Sequence, residues 1–80
     1  ANRAVEAYNN RQWGVAINCV NNALETTYYS AEVYYIRGYA YEQLGYYRDA
    51  KRDYKKAKKY GNVYAADALE TLKEKMKKKK

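Results

Sequence analysis

The side chains of this chain that could do chemistry are carboxylates, lysines, tyrosines and a single cysteine, since the sequence contains no histidine. Without histidine, neither a Ser-His-Asp triad nor a Cys-His pair can be built. A lone cysteine cannot complete the four nitrogen or sulfur ligands of a structural zinc site, and it cannot form an intrachain disulfide. We therefore expect no enzymatic activity, no metal, no cofactor and no small-molecule substrate.

Two pairs of carboxylates have helical spacing, Asp49 with Asp53 and Glu70 with Glu74. Such pairs share one face of a helix, where they could form an acid/base dyad. Both pairs lie among lysines, however, and the simpler interpretation is that each carboxylate forms an i,i+4 ion pair. Cys19 has no cationic neighbours in sequence that would activate its thiol, so we interpret it as a small, partly buried side chain.

Positive charge is concentrated in the second half of the chain. Residues 1–46 carry three cations and four anions, whereas residues 47–80 carry thirteen cations and five anions, which accounts for the net charge of +7. The lysines of 51–59 and 73–80 could bind nucleic acid or an anionic membrane, with nearby tyrosines stacking on bases. The alternative, which the interleaved aspartates favour, is a solvated outer face and a solubilising tail.

The apolar spacing throughout the chain is helical, and eighty residues allow one domain. Ser30 is positioned to cap the helix that follows it. The connecting segments are short, so neighbouring helices should run antiparallel as hairpins. No apolar run approaches the roughly 18 residues of a spanning helix, and a cytoplasmic location is the expectation. The predicted helices cover 1–11, 14–26, 31–44, 47–60 and 63–77.

Small and apolar residues repeat at an interval of 34 positions. Ala16 aligns with Ala50, Ala23 with Ala57, Val20 with Tyr54, Trp13 with Tyr47 and Ala4 with Gly38. Small side chains at such places allow two helices to cross closely, because a larger side chain would push the axes apart. A helix–turn–helix unit repeated every 34 residues is typical of the tetratricopeptide repeat, and the chain resembles that family.

The second unit carries the resemblance best. The family pattern W-x₂-L-G-x₂-Y…A-x₃-F…P is matched with tyrosine replacing Trp, arginine replacing Leu and no proline at the repeat boundary. Its positions are Tyr34, Arg37, Gly38, Tyr41, Ala50, Tyr54 and Asn62, with Ala57 as a further small residue. The corresponding positions of the first unit are Ala4, Trp13, Ala16, Val20 and Ala23.

The resemblance implies an all-α fold of about five helices, in which antiparallel hairpins stack as a short right-handed superhelix. We expect a single domain with an N-terminally shortened first repeat over 1–30, a second repeat over 31–62, and a capping helix with a lysine tail over 63–80. About three repeats are usually needed for stability. The chain is therefore a fragment of a longer array, a minimal engineered array, or a unit stabilised by self-association.

The resemblance also implies a function: a protein–protein interaction scaffold whose concave groove binds a peptide or helix of a partner. On the third helix, Tyr35 and Tyr39 lie on a different stripe from Tyr34, Gly38 and Tyr41, and exposed tyrosines are good anchors. The alternative is that these rings pack on the neighbouring hairpin. The groove positions implied by the family are Tyr8, Asn9, Glu32, Tyr35, Tyr39, Glu42, Gln43, Leu69 and Lys73.

One specialised family function is not expected. Members that grip the C-terminal carboxylate of heat-shock chaperones use a set of Lys, Asn, Asn, Lys and Arg. The matching positions here hold Ala1, Val5, Ile36, Ala66 and Glu70, none of which fits. Two other hypotheses remain beside the scaffold: a purely structural or designed unit with no ligand, and electrostatic binding of nucleic acid or acidic lipid.

Overall fold

The computed structural model describes residues 2–25 and 30–78, and over these ranges it contains five α-helices and no strand. The structure confirms the predicted all-α class and all five helices, with ends that differ by up to two residues. The helices are α1 (Asn2–Asn9), α2 (Trp13–Glu25), α3 (Ala31–Gln43), α4 (Tyr47–Lys59) and α5 (Ala65–Lys78).

Local hydrogen bonds explain two of the helix starts. Ser30 caps α3, since its hydroxyl accepts a hydrogen bond from the Val33 amide at 3.3 Å. The start of α5 comes two residues later than the spacing predicts. There the side-chain oxygen of Asn62 accepts from the Tyr64 amide at 2.8 Å and holds the chain in a turn before Ala65.

Three helices, α1, α3 and α4, end in related turns that use different residues. Gly45 after α3 and Gly61 after α4 have left-handed backbone, with φ of 88° and 102°. The equivalent place after α1 is held by Arg11, with φ of 59°. Gly14 is not part of such a turn and lies inside α2. The first hairpin therefore turns without the glycine that the second one uses.

The helices pack in sequence order, and α1 also contacts α3. One buried cluster, made mostly of small apolar side chains, joins α1, α2 and α3 and includes Ala57 of α4 and Ala65 of α5. A second cluster joins α4 to α5 around Tyr54 and Leu72. Of the repeat positions, Trp13, Ala23, Arg37, Tyr41 and Asn62 are partly buried. The others are buried: Ala4, Ala16, Val20, Tyr34, Gly38, Ala50, Tyr54 and Ala57.

Two helices, α3 and α4, cross closely at Gly38. A Cβ atom built on Gly38 would lie 2.9 Å from Tyr54 Cδ1 and 3.2 Å from Asp53 Cβ. The Tyr54 ring is fully buried and cannot swing away into solvent. Glycine is therefore required here for close approach and not for backbone conformation.

Candidate functional site

Two adjoining cavities lie along α1, α3 and α5, with volumes of about 350 and 380 Å³. Tyr35 and Tyr64 line both cavities, so the two spaces form one groove, which we call the tyrosine groove. The first cavity is lined by Val5, Tyr8, Asn9, Glu32, Tyr35, Ile36, Asn62 and Tyr64. The second is lined by Tyr35, Tyr39, Glu42, Gln43, Tyr54, Tyr64, Asp67, Ala68, Thr71 and Lys75.

A continuous set of aromatic rings runs beneath and beside this groove. Tyr39 packs edge-on against Tyr8 at 5.2 Å and against Trp13 at 5.5 Å between ring centroids. Tyr35 lies 6.3 Å from both Tyr39 and Tyr64. These distances fall in the range of favourable ring contacts. Tyr35 and Tyr39 are therefore both packing residues and part of the groove wall, which unites the two interpretations that the sequence left open.

Tyr8 and Tyr35 of the groove are neutral at physiological pH. Burial, followed by the neighbouring Tyr8 and Tyr39, raises the pKa of Tyr35 to about 12. Burial also raises the pKa of Tyr8 above the ordinary tyrosine value. The hydroxyls of these two tyrosines consequently remain protonated and act as hydrogen-bonding groups. The charge of the groove comes from its carboxylates and from Lys75.

Glu42 is a buried carboxylate with two partners, although the resemblance placed it in the groove as a ligand contact. Its Oε1 accepts from the Tyr54 hydroxyl at 2.7 Å, and its Oε2 accepts from Lys75 Nζ at 2.5 Å. Burial first, and then the hydrogen bond to Glu42, raises the pKa of Tyr54. The hydrogen bond with Glu42 likewise raises the pKa of Lys75. Glu42 therefore joins α3, α4 and α5, and its charge is balanced within the protein.

A second buried ion pair corrects the sequence-based interpretation of Asp53. Instead of pairing with a lysine on its own helix, Asp53 accepts two hydrogen bonds from the Arg37 guanidinium, at 2.7 and 2.8 Å. Arg37 also donates to Asn21 on α2 at 2.8 Å. The hydrogen bond to Asp53 raises the pKa of Arg37. Asp49, by contrast, forms the exposed helix-surface pair, with Arg52.

The predicted groove residues of α1 and α3 all line the two cavities, namely Tyr8, Asn9, Glu32, Tyr35, Tyr39, Glu42 and Gln43. On α5 the register differs from the expectation. Leu69 is buried in the cluster between α4 and α5, and Lys73 is exposed but lines neither cavity. The stripe of α5 that reaches the groove is Asp67, Ala68, Thr71 and Lys75 instead.

Sequence reasoning missed Tyr64 and Asp67. Tyr64 precedes α5 in the turn that Asn62 closes, so helical spacing does not indicate its direction. Tyr64 is 67% exposed, although its ring contacts the Tyr35 ring. The Asn62 turn was the available signal, because an asparagine before a helix often bonds to the backbone two residues later.

The basic surface of α4 lies apart from the tyrosine groove. Lys55, Lys58 and Lys59 are exposed and line neither cavity. Lys56 lies 5.4 Å above the Tyr34 ring, which also stacks on Tyr60. The basic surface therefore has aromatic contacts of its own.

Cys19 is partly buried, at a small cavity that the N-terminal helices form with residues such as Arg3 and Val15. Within 2–25 and 30–78, no group of three or more cysteine or acidic side chains is arranged to hold a metal ion. None of the helices in these ranges is long and apolar enough to cross a membrane.

Comparison with known protein families identifies the central part of the fold. Residues 31–62, which comprise α3, α4 and their turns, match the family model described as the tetratricopeptide repeat. Searches of curated proteins and of solved structures give no match. Tetratricopeptide repeats are typically non-catalytic and generally bind proteins or peptides, so the match supports a protein–protein interaction scaffold in general. Over residues 2–25 and 30–78 the protein is thus all-α, and its central hairpin matches the tetratricopeptide repeat.

Proposed function

We propose that the tyrosine groove binds an extended or helical segment of a partner protein. The observation that carries this proposal is the line of two joined cavities along α1, α3 and α5, in a chain whose central hairpin is a tetratricopeptide repeat. The groove combines large aromatic surfaces with a few polar groups. Such a composition suits peptide binding, because tyrosines contribute contact area at low cost in conformational entropy.

The proposal includes the division of the chain into structural units. Residues 1–30 are a shortened first repeat that contributes one wall of the groove through Tyr8 and Asn9. Residues 31–62 form the central repeat, and residues 63–80 form a cap whose helix supplies the opposite wall. The exposed side of α5 carries mixed charges at Glu70, Lys73 and Glu74, which supports a capping role, because a capping helix presents a polar outer face to water.

Tyr64 offers the sharpest test of the groove. Its ring lines both cavities yet is 67% exposed, so Tyr64→Ala should remove ligand contact with little loss of stability. Tyr46→Ala is the matched control, because Tyr46 is 56% exposed and lines neither cavity. A double substitution of Tyr35 and Tyr39 is less useful, since both rings also pack against neighbouring helices.

The experiment selects binders from a library of short peptides on the full chain and measures their affinity by fluorescence anisotropy. Tyr64→Ala should weaken binding by at least about tenfold, the loss of one well-packed aromatic anchor, whereas Tyr46→Ala should leave the affinity unchanged. Equal affinities for both variants would place the binding surface elsewhere. Failure to select any peptide would favour a purely structural unit, and selection of peptides that bind through the lysines of α4 would favour an electrostatic function.

A further inference from the structure

The charges that line the tyrosine groove differ in sign from the charge of the whole protein. Four charged side chains line the two cavities: Glu32, Glu42, Asp67 and Lys75. Glu42 and Lys75 pair with each other. Glu32 and Asp67 are exposed and have no ion-pair partner among the described residues. The groove therefore presents two uncompensated negative charges in a chain of net charge +7.

The two free carboxylates line different cavities of the groove. Glu32 lies in the first cavity and Asp67 in the second, while Tyr35 and Tyr64 form the boundary that both cavities share. Each cavity is thus lined by one free carboxylate and by both of these tyrosines. A segment that crosses this boundary meets a negative charge on each side of it.

Tyrosine faces and carboxylates together favour cationic side chains. A guanidinium can stack on an aromatic ring and donate two parallel hydrogen bonds to a carboxylate, whereas an ammonium group offers a point charge without that planar geometry. This protein already uses the same chemistry internally. The Arg37 guanidinium pairs with Asp53 through two hydrogen bonds and lies 5.9 Å from the centres of the Tyr34 and Tyr41 rings.

On the basis of the peptide-binding function proposed above, we propose that the partner segment carries two cationic side chains, preferably arginines. One of them lies in each cavity of the tyrosine groove. Glu32 and Asp67 are the residues that select for them. An acidic segment is disfavoured at the groove because it would place like charges beside these two carboxylates. The basic surface of α4 does not contribute to this selection, since its exposed Lys55, Lys58 and Lys59 line neither cavity.

The probes are three fluorescein-labelled peptides of identical length and spacing, in which the two variable positions hold arginine, glutamine or glutamate. The full-length chain should bind the arginine peptide more tightly than the glutamine peptide, and the glutamate peptide most weakly. The protein variant is Glu32→Gln with Asp67→Asn. It should weaken binding of the arginine peptide about five- to tenfold, as expected for two partly exposed ion pairs, and leave the glutamine peptide unchanged.

The matched control is Glu70→Gln with Glu74→Gln, which makes the same change in net charge on exposed residues of α5 that line neither cavity. It should leave the order and affinities of the three peptides intact. Thermal melts of both double variants verify that each is folded, because Asp67 lies in the first turn of α5, where a negative charge favours the helix.

The outcomes separate this inference from the peptide-binding proposal. If the three peptides bind equally and Tyr64→Ala weakens all of them, the groove binds peptides but does not select for cations. If the glutamate peptide binds most tightly, or if both double variants weaken the arginine peptide equally, selection by Glu32 and Asp67 is also disproved. If no peptide binds, or if Tyr64→Ala has no effect on binding, the peptide-binding proposal fails together with this one.

Discussion

The two helical hairpins of this protein are held together in different ways. The α1–α2 hairpin buries small apolar side chains, including Ala4, Ala7, Ala16 and Val20. The α3–α4 hairpin adds buried polar contacts and a helix crossing too close for a Cβ atom, at Gly38. Apolar packing is non-directional, whereas a two-pronged ion pair requires one relative position of two helices. The register of the central hairpin is therefore set by directional polar contacts as well as by steric packing.

The central hairpin is also connected to both of its neighbours by polar groups. Arg37 reaches Asn21 on α2, and Glu42 accepts a hydrogen bond from Lys75 on α5. The family model of the tetratricopeptide repeat matches residues 31–62, which contain this hairpin. Four substitutions, each with a matched control, test this difference between the two hairpins.

The largest effect is expected from the buried ion pair. Asp53→Ala leaves the Arg37 guanidinium, whose side chain is 19% exposed, without its carboxylate, and should cost about 3 kcal/mol of unfolding free energy. Asp49→Ala removes the exposed partner of Arg52 and should cost less than about 0.5 kcal/mol. Urea unfolding followed by circular dichroism measures both. Equal losses for the two variants would show that the Asp53 pair adds no specific stability.

The next effect concerns the two glycines within helices. Gly38→Ala should destabilise the protein by about 1–3 kcal/mol, because the new methyl group overlaps the buried Tyr54 ring. Gly14→Ala in α2 meets no atom within 4 Å and should stabilise by about 0.5–1 kcal/mol through helix propensity. Thermal denaturation of the two variants should therefore shift the midpoint in opposite directions. A stabilising Gly38→Ala would mean that α3 and α4 pack less closely than the structure shows.

A smaller effect is expected at the contact between α5 and the central hairpin. Lys75→Met removes a hydrogen bond to the buried Glu42 carboxylate and should cost about 1 kcal/mol, whereas Lys73→Met on the same helix should be nearly neutral. The pKa of Lys75 is raised in the folded state, so its contribution is complete at neutral pH and is lost as the pH rises through that raised value. Urea unfolding at neutral and strongly alkaline pH tests this, and a contribution that grows with pH would refute it.

The smallest effect compares the turns that end α1 and α3. Arg11→Gly should stabilise the protein by about 0.5–1 kcal/mol, because glycine adopts the left-handed backbone at this place without steric cost. Gly45→Ala, at the equivalent turn of the second hairpin, should destabilise by a similar amount. Differential scanning calorimetry resolves changes of this size. Loss of stability in Arg11→Gly would indicate that the arginine side chain makes a contribution greater than its backbone cost.

The spacing of apolar residues predicted all five helices, and Ser30 was correctly identified as a cap. The spacing of α3 also separated Tyr35 and Tyr39 from the buried stripe of Tyr34 and Gly38, and these two rings do line the groove. On α5 the family resemblance places Leu69 and Lys73 in the groove, whereas Leu69 packs between α4 and α5 and Lys73 lines neither cavity. The rotation of α5 about its own axis depends on its contacts with other helices. The spacing of residues within α5 does not reveal those contacts.

Three features can be predicted from the sequence alone: the helices, the small residues at their crossings, and the resemblance of the central unit to a tetratricopeptide repeat. They can be predicted because they depend on local spacing and side-chain size. Only the tertiary structure decided which charges are paired. Asp53 and Asp49 are alike in sequence, yet one is buried against Arg37 from another helix and the other is exposed beside Arg52. Likewise, Glu42 has its charge balanced by Lys75, 33 positions away, while Glu32 and Asp67 remain free in the groove. Charge pairing depends on distance in space, and only the packing of the helices sets that distance.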